Sequence, residues 1–336
     1  MTAQRSARPR AIPPELQGCD VVSIGEAMLL LEPPAGYTLE TAPEYAVHVA
    51  GAELNACAAV ASLGGRAAFV TKLGADPFAA RVHEAGQRLG VAVDAETDPQ
   101  HPTGVFFKQP VASDARRVHY YRAGSAASQL GAEAVDRAFA HRPRAVLVSG
   151  LTAALGDRPV EMFRALATRP EFRASHLTPE ASALVIDANL RPALGRLEAS
   201  LAAIRGALAV TRILILGVDE GEILFGTADP AEIARDALGA GCGEVVIKDG
   251  ERGCYWVDVE GDPHHLPTLA TTVVDSVGAG DAFTGGYVWA RLEGAAPETA
   301  ARLGSQLAAR VIAAAGDTTG LPGPEQAREI IRKLTD

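Results

Sequence analysis

The chain of 336 residues is long enough for one large α/β domain or for two smaller domains. With 48% hydrophobic and 21% charged residues, it has the composition of a globular protein with a sizeable core. The formal net charge of -10 argues against a nucleic-acid surface, which needs clustered Lys and Arg. No apolar stretch approaches the length of a membrane-spanning helix. We therefore expect neither nucleic acid nor a membrane as a partner.

The cysteines and the N-terminus indicate a cellular compartment. The four cysteines stand far apart without metal-type spacing, and two of them lie in or beside apolar runs. We predict buried free thiols in a reduced, cytoplasmic protein. Residues 1–17 are basic and Pro-rich, but no apolar segment of a signal peptide follows them. We expect residues 1–17 to form a flexible tail and residues 18–336 to form the folded domain.

Short apolar, β-branched runs alternate along the chain with longer Ala-rich stretches of helical period. This alternation is typical of an α/β protein in which helices cover both faces of a mostly parallel sheet. The predicted strands are Asp20–Ile24, Ala67–Thr71, Ala145–Ser149, Ala183–Asp187, Ile213–Leu216 and Glu244–Lys248. The predicted helices are Ala52–Leu63, Pro77–Leu89, Val160–Ala167, Leu197–Ala207, Ala231–Leu238, Gly280–Glu293, Pro297–Ala314 and Pro324–Leu334.

Two segments, at about residues 28–49 and 103–122, break this alternation. The second segment holds two short strand patterns, VFFKQPV and RVHYYR, around a polar turn. Alternation in the latter pattern places Val118 and Tyr120 on one face of the strand and the residues that follow each of them on the other face. We predict a small β-sheet lid that stands off the main sheet. Its exposed face would favour pairing with a second copy of the chain, and hence a homo-oligomer.

The segment Thr271–Phe283, TTVVDSVGAGDAF, carries the strongest functional pattern. A β-rich run is predicted to end at Asp275, followed by a Gly-Ala-Gly turn and a helix. Gly278 and Gly280 allow backbone angles that bring N–H groups toward one point, and the helix start adds partial positive charge. The turn is a candidate anion hole for a phosphoryl group, and Asp281 could accept the proton of an attacking hydroxyl. A GAGD sequence alone is equally compatible with an ordinary strand-to-helix turn.

The longer DSVGAGDAF segment closely resembles the C-terminal signature of the ribokinase-like (PfkB) carbohydrate kinases. The resemblance implies a ribokinase-like fold and a kinase that uses ATP and Mg²⁺. It leaves a requirement for a monovalent cation open. It also implies that Gly278, Ala279 and Gly280 supply the anion-hole amides, that Gly278 and Gly280 contact ATP, and that Asp281 is the catalytic base.

A second segment, AGAELN, resembles the N-terminal signature of the same family, so the resemblance covers about residues 18–334. Gly51 and Asn55 are retained, and the resemblance assigns both to the sugar site. Ala50 stands where the family has the first Gly of the signature. Without the resemblance, a Gly and an Asn beside a helix start would be interpreted as capping residues.

The nucleotide site must be built without the motifs of other kinases. The sequence contains no GxxxxGK[ST] P-loop and no HRD or DFG set. Phosphate would therefore be held by backbone amides, by Mg²⁺ and by isolated cations such as Arg191. Asp187, Asn189 and Arg191 follow a predicted parallel strand at its carboxyl end, where open α/β sheets bind ligands. The same pattern also suits a turn or helix cap.

Three further residues are assigned to ATP or Mg²⁺. The segment GVDEGEILFG resembles the family's N-x-x-E segment, which implies that Glu220 organises Mg²⁺ and phosphates. Gly217 stands where that segment usually has Asn or Ser, so a side-chain ligand is lost there. A solvated helix acid is the alternative interpretation of Glu220. Lys248 and Gly250 are expected to flank the nucleotide.

The sequence also points to a class of sugar. Tyr120-Tyr121-Arg122, followed by AGSAAS, resembles the YYR-x-GSA segment of the 2-keto-3-deoxygluconate kinases within the family. A planar Arg fork binds a sugar-acid carboxylate in bidentate fashion, and an aromatic strand pair with a solvated Arg is the alternative. The resemblance implies that the sugar is lined by Gly51, Phe106, Tyr120, Arg122, Leu151, Arg191, Asp281 and Asp317.

The leading hypothesis is a phosphotransferase with an alcohol acceptor, acting on a primary hydroxyl of 2-keto-3-deoxygluconate or a close relative. Fructose, 2-ketogluconate, 5-dehydro-2-deoxygluconate and a nucleoside remain open as substrates. From a different class, the chain could be a non-catalytic regulator that binds a sugar or nucleotide. A dinucleotide-dependent dehydrogenase is a weaker rival because no Gly-x-Gly-x-x-Gly follows the first strand.

Overall fold

The computed structural model describes residues 18–109, 117–175, 182–257 and 263–335. Within these ranges the chain forms a nine-stranded sheet and a separate four-stranded sheet. The predicted N-terminal tail and the polar turn between the two short strands lie outside the described residues.

The strands of the described ranges alternate with helices along most of the chain. The strands are β1 (Val21–Ile24), β2 (Met28–Glu32), β3 (Ala46–Ala50), β4 (Ala67–Gly74), β5 (Val91–Asp98), β6 (Val105–Gln109), β7 (Arg117–Tyr121), β8 (Ala145–Ser149), β9 (Ala183–Asp187), β10 (Thr211–Gly217), β11 (Val245–Lys248), β12 (Cys254–Val257) and β13 (His264–Leu266). The helices are α1 (Ala52–Ser62), α2 (Phe78–Leu89), α3 (Ala132–Ala140), α4 (Gly150–Ala153), α5 (Asp157–Thr168), α6 (Pro170–Ser175), α7 (Leu197–Ala207), α8 (Val218–Phe225), α9 (Pro230–Gly239), α10 (Ala279–Leu292), α11 (Pro297–Ile312) and α12 (Pro324–Thr335).

The large sheet has the order β13-β12-β11-β10-β9-β8-β1-β4-β5. Neighbouring strands are parallel from β11 to β5, and β12 and β13 add an antiparallel edge. All six predicted strands lie in the parallel part, which confirms the α/β prediction. Strands β5, β12 and β13 were not predicted. They lie at or next to the sheet edges, and β5, which is partly exposed and rich in acids, lacks the continuous apolar run of a strand buried on both faces.

Helices cover both faces of the large sheet, as predicted. Helices α1, α2, α10, α11 and α12 enclose one apolar core, in which Leu54 and Tyr287 are fully buried. Helices α3, α5, α7, α8 and α9 enclose the other core, which includes Phe163 and Ile204. The four cysteines are free and buried, which confirms that prediction. Among the described residues, no helix is both long enough and apolar enough to cross a membrane.

The small sheet, here called the lid sheet, has the order β3-β2-β6-β7. Phe106 pairs in register with Tyr120, and Val118 packs on the same small core as Phe106. On the opposite face, Phe107 contacts the ring of Tyr121 with centroids 5.7 Å apart. The predicted small sheet and the predicted alternation in β7 are both confirmed.

One predicted element is wrong. The β-rich run at residues 271–275 forms no strand. Val273 and Val274 are 67% and 50% exposed, and the amides of Val274 and Asp275 both donate to the carbonyl of Ile312 at the end of α11. This backbone contact orients the segment without a neighbouring strand, so β-branched residues here do not indicate a sheet.

Candidate active site

The turn before α10, which the sequence analysis proposed as an anion hole, begins the helix with a glycine. Gly278 is the N-cap of the helix and has a φ of 80°, which favours glycine. The first hydrogen bond within the helix runs from the Ala282 amide to the Gly278 carbonyl, at 2.9 Å. The amides of Ala279, Gly280 and Asp281 therefore have no acceptor within the helix and can bind an anion.

Close packing around this turn also requires glycine. A Cβ on Gly278 would lie 2.3 Å from the carbonyl oxygen of Asp317, so the turn rests directly on the backbone after α11. A Cβ on Gly280 would lie 3.6 Å from the Nζ of Lys248, which places that ammonium beside the turn. The amides of the helix start and the lysine thus concentrate positive charge at one point.

Asp281 lies in the first turn of α10, beside these amides. Its Oδ2 accepts a hydrogen bond of 2.9 Å from Asn55 Nδ2 on α1, and the same Nδ2 lies 3.5 Å from Oδ2 of Asp317. Burial, with the charges of Asp187 and Asp317, raises the pKa of Asp281 to about 7, although the Asn55 hydrogen bond and Lys248 act in the opposite direction. The carboxyl group is thus suited to accept a proton near neutral pH.

Lys248, at the end of β11, is held by a carboxylate at the end of β9. Its Nζ lies 3.0 and 3.1 Å from the two carboxylate oxygens of Asp187, and Thr284 Oγ1 donates to one of them at 2.6 Å. Burial acts to lower the pKa of Lys248, but Asp187 and Glu220 outweigh it and raise that pKa. The lysine is therefore a permanent cation next to the anion hole.

Glu220 joins the loops that follow β9 and β10. Its Oε1 accepts the Leu190 amide at 2.7 Å and its Oε2 accepts the Gly217 amide at 2.6 Å. Burial raises its pKa, against the opposing charge of Lys248. Because both oxygens already accept amides, a bound Mg²⁺ would meet this carboxylate most readily through its water shell.

The other predicted residues differ in exposure. Asn189 is buried with a φ of 36° and lines a small cavity beneath Asp281. Leu151 is buried in α4. Arg191 is exposed and donates to the neighbouring Leu190 carbonyl at 3.1 Å. Gly250 follows β11 with a φ of 52°, consistent with a turn beside the strand end.

The aromatic residues of the lid sheet lie next to a buried ion pair. The rings of Phe106 and Tyr120 have centroids 5.5 Å apart, and the Arg122 guanidinium lies 5.5 Å from the Tyr120 centroid. Arg122 is 5% exposed and forms an ion pair with Glu26, which also accepts a hydrogen bond from Ser125. Glu26 lies 96 positions before Arg122 in the sequence. Its ion pair across the fold leaves no local signal.

Gly51, the N-cap of α1, has an extended backbone that any residue could adopt. A Cβ there would lie 2.4 Å from the carbonyl oxygen of Glu26, so glycine lets α1 approach the chain after β1. Two residues later, the buried Glu53 accepts hydrogen bonds of 2.5 Å from both Ser149 and Thr152. Sequence analysis missed this link, which fixes the start of α1, and with it Asn55, against α4.

The donor set fits Mg²⁺ bound together with a nucleotide. In the described ranges, no group of three or more His, Cys, Asp or Glu side chains could hold a metal ion. Mg²⁺ commonly keeps several waters and uses one or two carboxylates plus substrate phosphates. Asp187 and Glu220 are the carboxylates near the anion hole, so they fit that role without a dedicated metal cage.

Comparisons with known proteins identify the family of the chain. The model described as "pfkB family carbohydrate kinase" matches residues 19–324. The 2-dehydro-3-deoxygluconokinase of Thermoproteus tenax is 33% identical over 323 residues, which cover 94% of each chain. The crystal structure of a PfkB protein from Polaromonas sp. JS666 is 29% identical, has a TM-score of 0.79, and is matched over 92% of this chain and 99% of that chain.

A likeness to ribokinase confirms the fold. The ribokinase of Thermotoga maritima is 22% identical, with a TM-score of 0.73 over 94% of this chain and 99% of that chain. Three observations indicate the same family. They are the two sequence signatures, the parallel sheet with a lid sheet, and the family match over nearly the whole chain. The chain belongs to the pfkB family of carbohydrate kinases.

Proposed function

We propose that this sugar kinase transfers the γ-phosphoryl group of ATP to a primary hydroxyl of 2-keto-3-deoxygluconate or a closely related keto-sugar acid. The observation that carries the proposal is a buried cation, Arg122, next to the aromatic pair of the lid sheet. The Thermoproteus tenax relative, which is a 2-dehydro-3-deoxygluconokinase, supports the same class of substrate.

In the proposed mechanism, Asp281 accepts the proton of the attacking hydroxyl. Asn55 orients the carboxylate through its hydrogen bond of 2.9 Å. The amides of Ala279 and Gly280, with the Lys248 ammonium beside them, stabilise the negative charge on the transferring phosphoryl group. Mg²⁺, when bound, neutralises charge on the ATP phosphates.

Arg122 is the proposed partner of the substrate carboxylate. Glu26 contacts the guanidinium on one side, while the buried Nε of Arg122 has no hydrogen-bond partner among the described residues. A buried donor without a partner is costly, and a carboxylate ligand would satisfy it. Arg191, which is exposed, is the second candidate cation.

A coupled ADP-release screen tests the substrate. We expect the highest kcat/KM for 2-keto-3-deoxygluconate, and lower values for 2-ketogluconate, 5-dehydro-2-deoxygluconate, fructose and nucleosides. A preference for fructose or a nucleoside would contradict the proposal. Sugar binding without ADP formation would favour the alternative of a non-catalytic regulator that binds a sugar or nucleotide. Parallel assays of ADP release in potassium, sodium and choline salts would test the monovalent-cation requirement that the resemblance leaves open.

Replacing Arg122 by alanine is expected to lower kcat/KM for the keto-sugar acid by about 10²-fold, because a charge-assisted hydrogen bond is lost. Loss for a neutral sugar should be much smaller. Since Arg122→Ala also leaves Glu26 buried without its partner, the double variant Glu26→Gln/Arg122→Met serves as the matched control for folding. Equal losses for acidic and neutral sugars, measured in the same assay, would contradict the carboxylate role.

We also propose that two copies pair through the outer face of the lid sheet, the face that carries Val47, Phe107 and Tyr121. Val47 and Tyr121 are 39% and 69% exposed, and Phe107 links Tyr121 to Tyr45 through ring contacts. A second copy carries the same apolar patch and can cover it by twofold symmetry.

We expect Tyr121→Glu to shift the protein from dimer to monomer in sedimentation velocity, because a charge cannot be buried there unpaired. Leu269→Glu, at an exposed apolar residue that follows β13 at the edge of the large sheet, is the matched control and should leave the dimer intact. A monomeric wild-type protein would overturn the pairing. The cytoplasmic location remains part of the proposal, supported by the free buried cysteines.

A further inference from the structure

A buried ion pair joins the lid sheet to the segment before the anion hole. Lys108 lies on β6, on the same face as Phe106, and is 3% exposed. Its Nζ lies 2.9 Å from Oδ2 of Asp275, which is 4% exposed, and 3.6 Å from Oε1 of Glu32 on the adjacent strand β2. The lid sheet thus contributes a cation that pairs with Asp275 of the main body, beside Glu32 of the lid sheet itself.

Asp275 in turn organises the backbone on both sides of the anion-hole turn. Its Oδ1 accepts the amide of Val277, which directly precedes Gly278, at 3.0 Å. Its Oδ2, the atom that faces Lys108, lies 3.4 Å from the amide of Gly316. Gly316 precedes the Asp317 carbonyl on which Gly278 rests. The position of this one carboxylate therefore controls the position of the turn.

The charge of Lys108 also acts on a carboxylate next to the proposed base Asp281. Burial raises the pKa of Asp317, and the charge of Lys108 is the largest opposing influence on that pKa. Asp317 shares the Asn55 amide group with Asp281. A lid that carried Lys108 away would leave the two buried carboxylates of Asp275 and Asp317 with less compensating positive charge.

We propose that Lys108 is a positioning residue for phosphoryl transfer. When the lid sheet is docked, its ammonium fixes Asp275 and so holds the amides of residues 278–280 in their phosphate-binding arrangement. When the lid sheet is raised, Asp275 loses its contact with the Lys108 ammonium, and the turn is held less firmly. Closure of the lid sheet over the sugar is thereby coupled to assembly of the anion hole. This inference rests on the anion-hole role under Proposed function.

A purely structural ion pair is the competing explanation, and kinetics distinguish the two. Replacing Lys108 by alanine is expected to lower kcat by about 10- to 100-fold, because small misplacements of catalytic groups are costly. The KM for ATP should stay within about threefold, since the amides still exist. Lys108→Arg, which keeps the charge, should retain most of kcat.

Chemical rescue supplies a second readout. Ethylammonium or propylammonium can occupy the space left in Lys108→Ala and should restore kcat severalfold, whereas tetramethylammonium at the same ionic strength has no N–H donor and should not. Lys72→Ala is the matched control. Lys72 is 9% exposed and pairs with Glu96 and Glu133 at 3.4 and 2.9 Å, so its variant should keep kcat and show no rescue.

An unchanged kcat in folded Lys108→Ala, or equal rescue by tetramethylammonium, would overturn the inference. If the single variant does not fold, Lys108→Met/Asp275→Asn removes the negative charge of that carboxylate together with the lysine. We expect this double variant to fold with low kcat and no response to amines, and a wild-type kcat in it would also overturn the inference. A wild-type enzyme inactive on keto-sugar acids would instead refute the proposed substrate, and the comparison would use the sugar it does phosphorylate.

Discussion

Replacing Asp281 by asparagine is expected to lower kcat by about 10²–10⁴, which is the usual contribution of a positioned general base. The amide has nearly the same shape, but it cannot take the proton of the sugar hydroxyl. Its oxygen can still accept the hydrogen bond from Asn55, so the local geometry should be retained. Steady-state ADP release and calorimetric titration with ATP should show lost turnover with nearly unchanged ATP affinity.

Two controls make this result specific. Asp236→Asn, at an exposed carboxylate on α9, should behave as the wild type. In addition, the free energy of unfolding should increase in Asp281→Asn by about 1–3 kcal/mol at pH 8 and little at pH 4, because the folded-state pKa is raised. The charged form of Asp281 is destabilising above pH 7, and that cost is absent below the unfolded-state pKa. Normal turnover in Asp281→Asn would remove Asp281 from its role as base.

Much of the fold could be predicted because the parallel strands are buried on both faces. A continuous apolar run such as Ala145–Ser149 identifies such a strand without knowledge of its neighbours. The edge strands β5 and β13 lack this pattern, and β12, next to the edge, has an apolar run of only four residues. The run before Asp275 was predicted as a strand but is not one. Its β-branched residues suggested a strand, but backbone contacts with the end of α11 determine its conformation.

The site could be predicted only where its geometry is local. Gly278 and Asp281 lie within one turn, so the sequence itself predicts their relation. The hydrogen bond from Asn55 to Asp281 spans 226 positions, and the ion pair of Lys108 with Asp275 spans 167. The sequence predicted a strand around Lys108, but nothing near it in the sequence indicated its distant partner.

Buried charges also changed how the predicted ligands function. Glu220 was predicted as an Mg²⁺ ligand, yet both its oxygens accept backbone amides. Arg122 was predicted to bind the sugar acid, and it is already paired with Glu26 on one side. Such pairings depend on the packing of distant segments, which a single sequence does not show. Each pairing limits the atoms through which the residue could contact a ligand, and the predicted role stays a proposal.

The second large effect expected is on pH dependence. Only the ionised carboxylate of Asp281 accepts a proton, and burial, followed by the charges of Asp187 and Asp317, raises its pKa to about 7. The kcat/KM for the sugar should therefore fall about tenfold per pH unit below pH 7 and reach a plateau above it. An aspartate with an ordinary pKa would give a flat profile from about pH 5 to pH 8.

The most direct test of the proposed mechanism is this profile, measured for the wild type and for Asp281→Asn at saturating MgATP. We predict that kcat/KM of the wild type falls on the acidic side of pH 7, and that the residual activity of the variant lacks this decrease. A flat wild-type profile, or the same acidic decrease in both proteins, would contradict the assignment of Asp281 as the base.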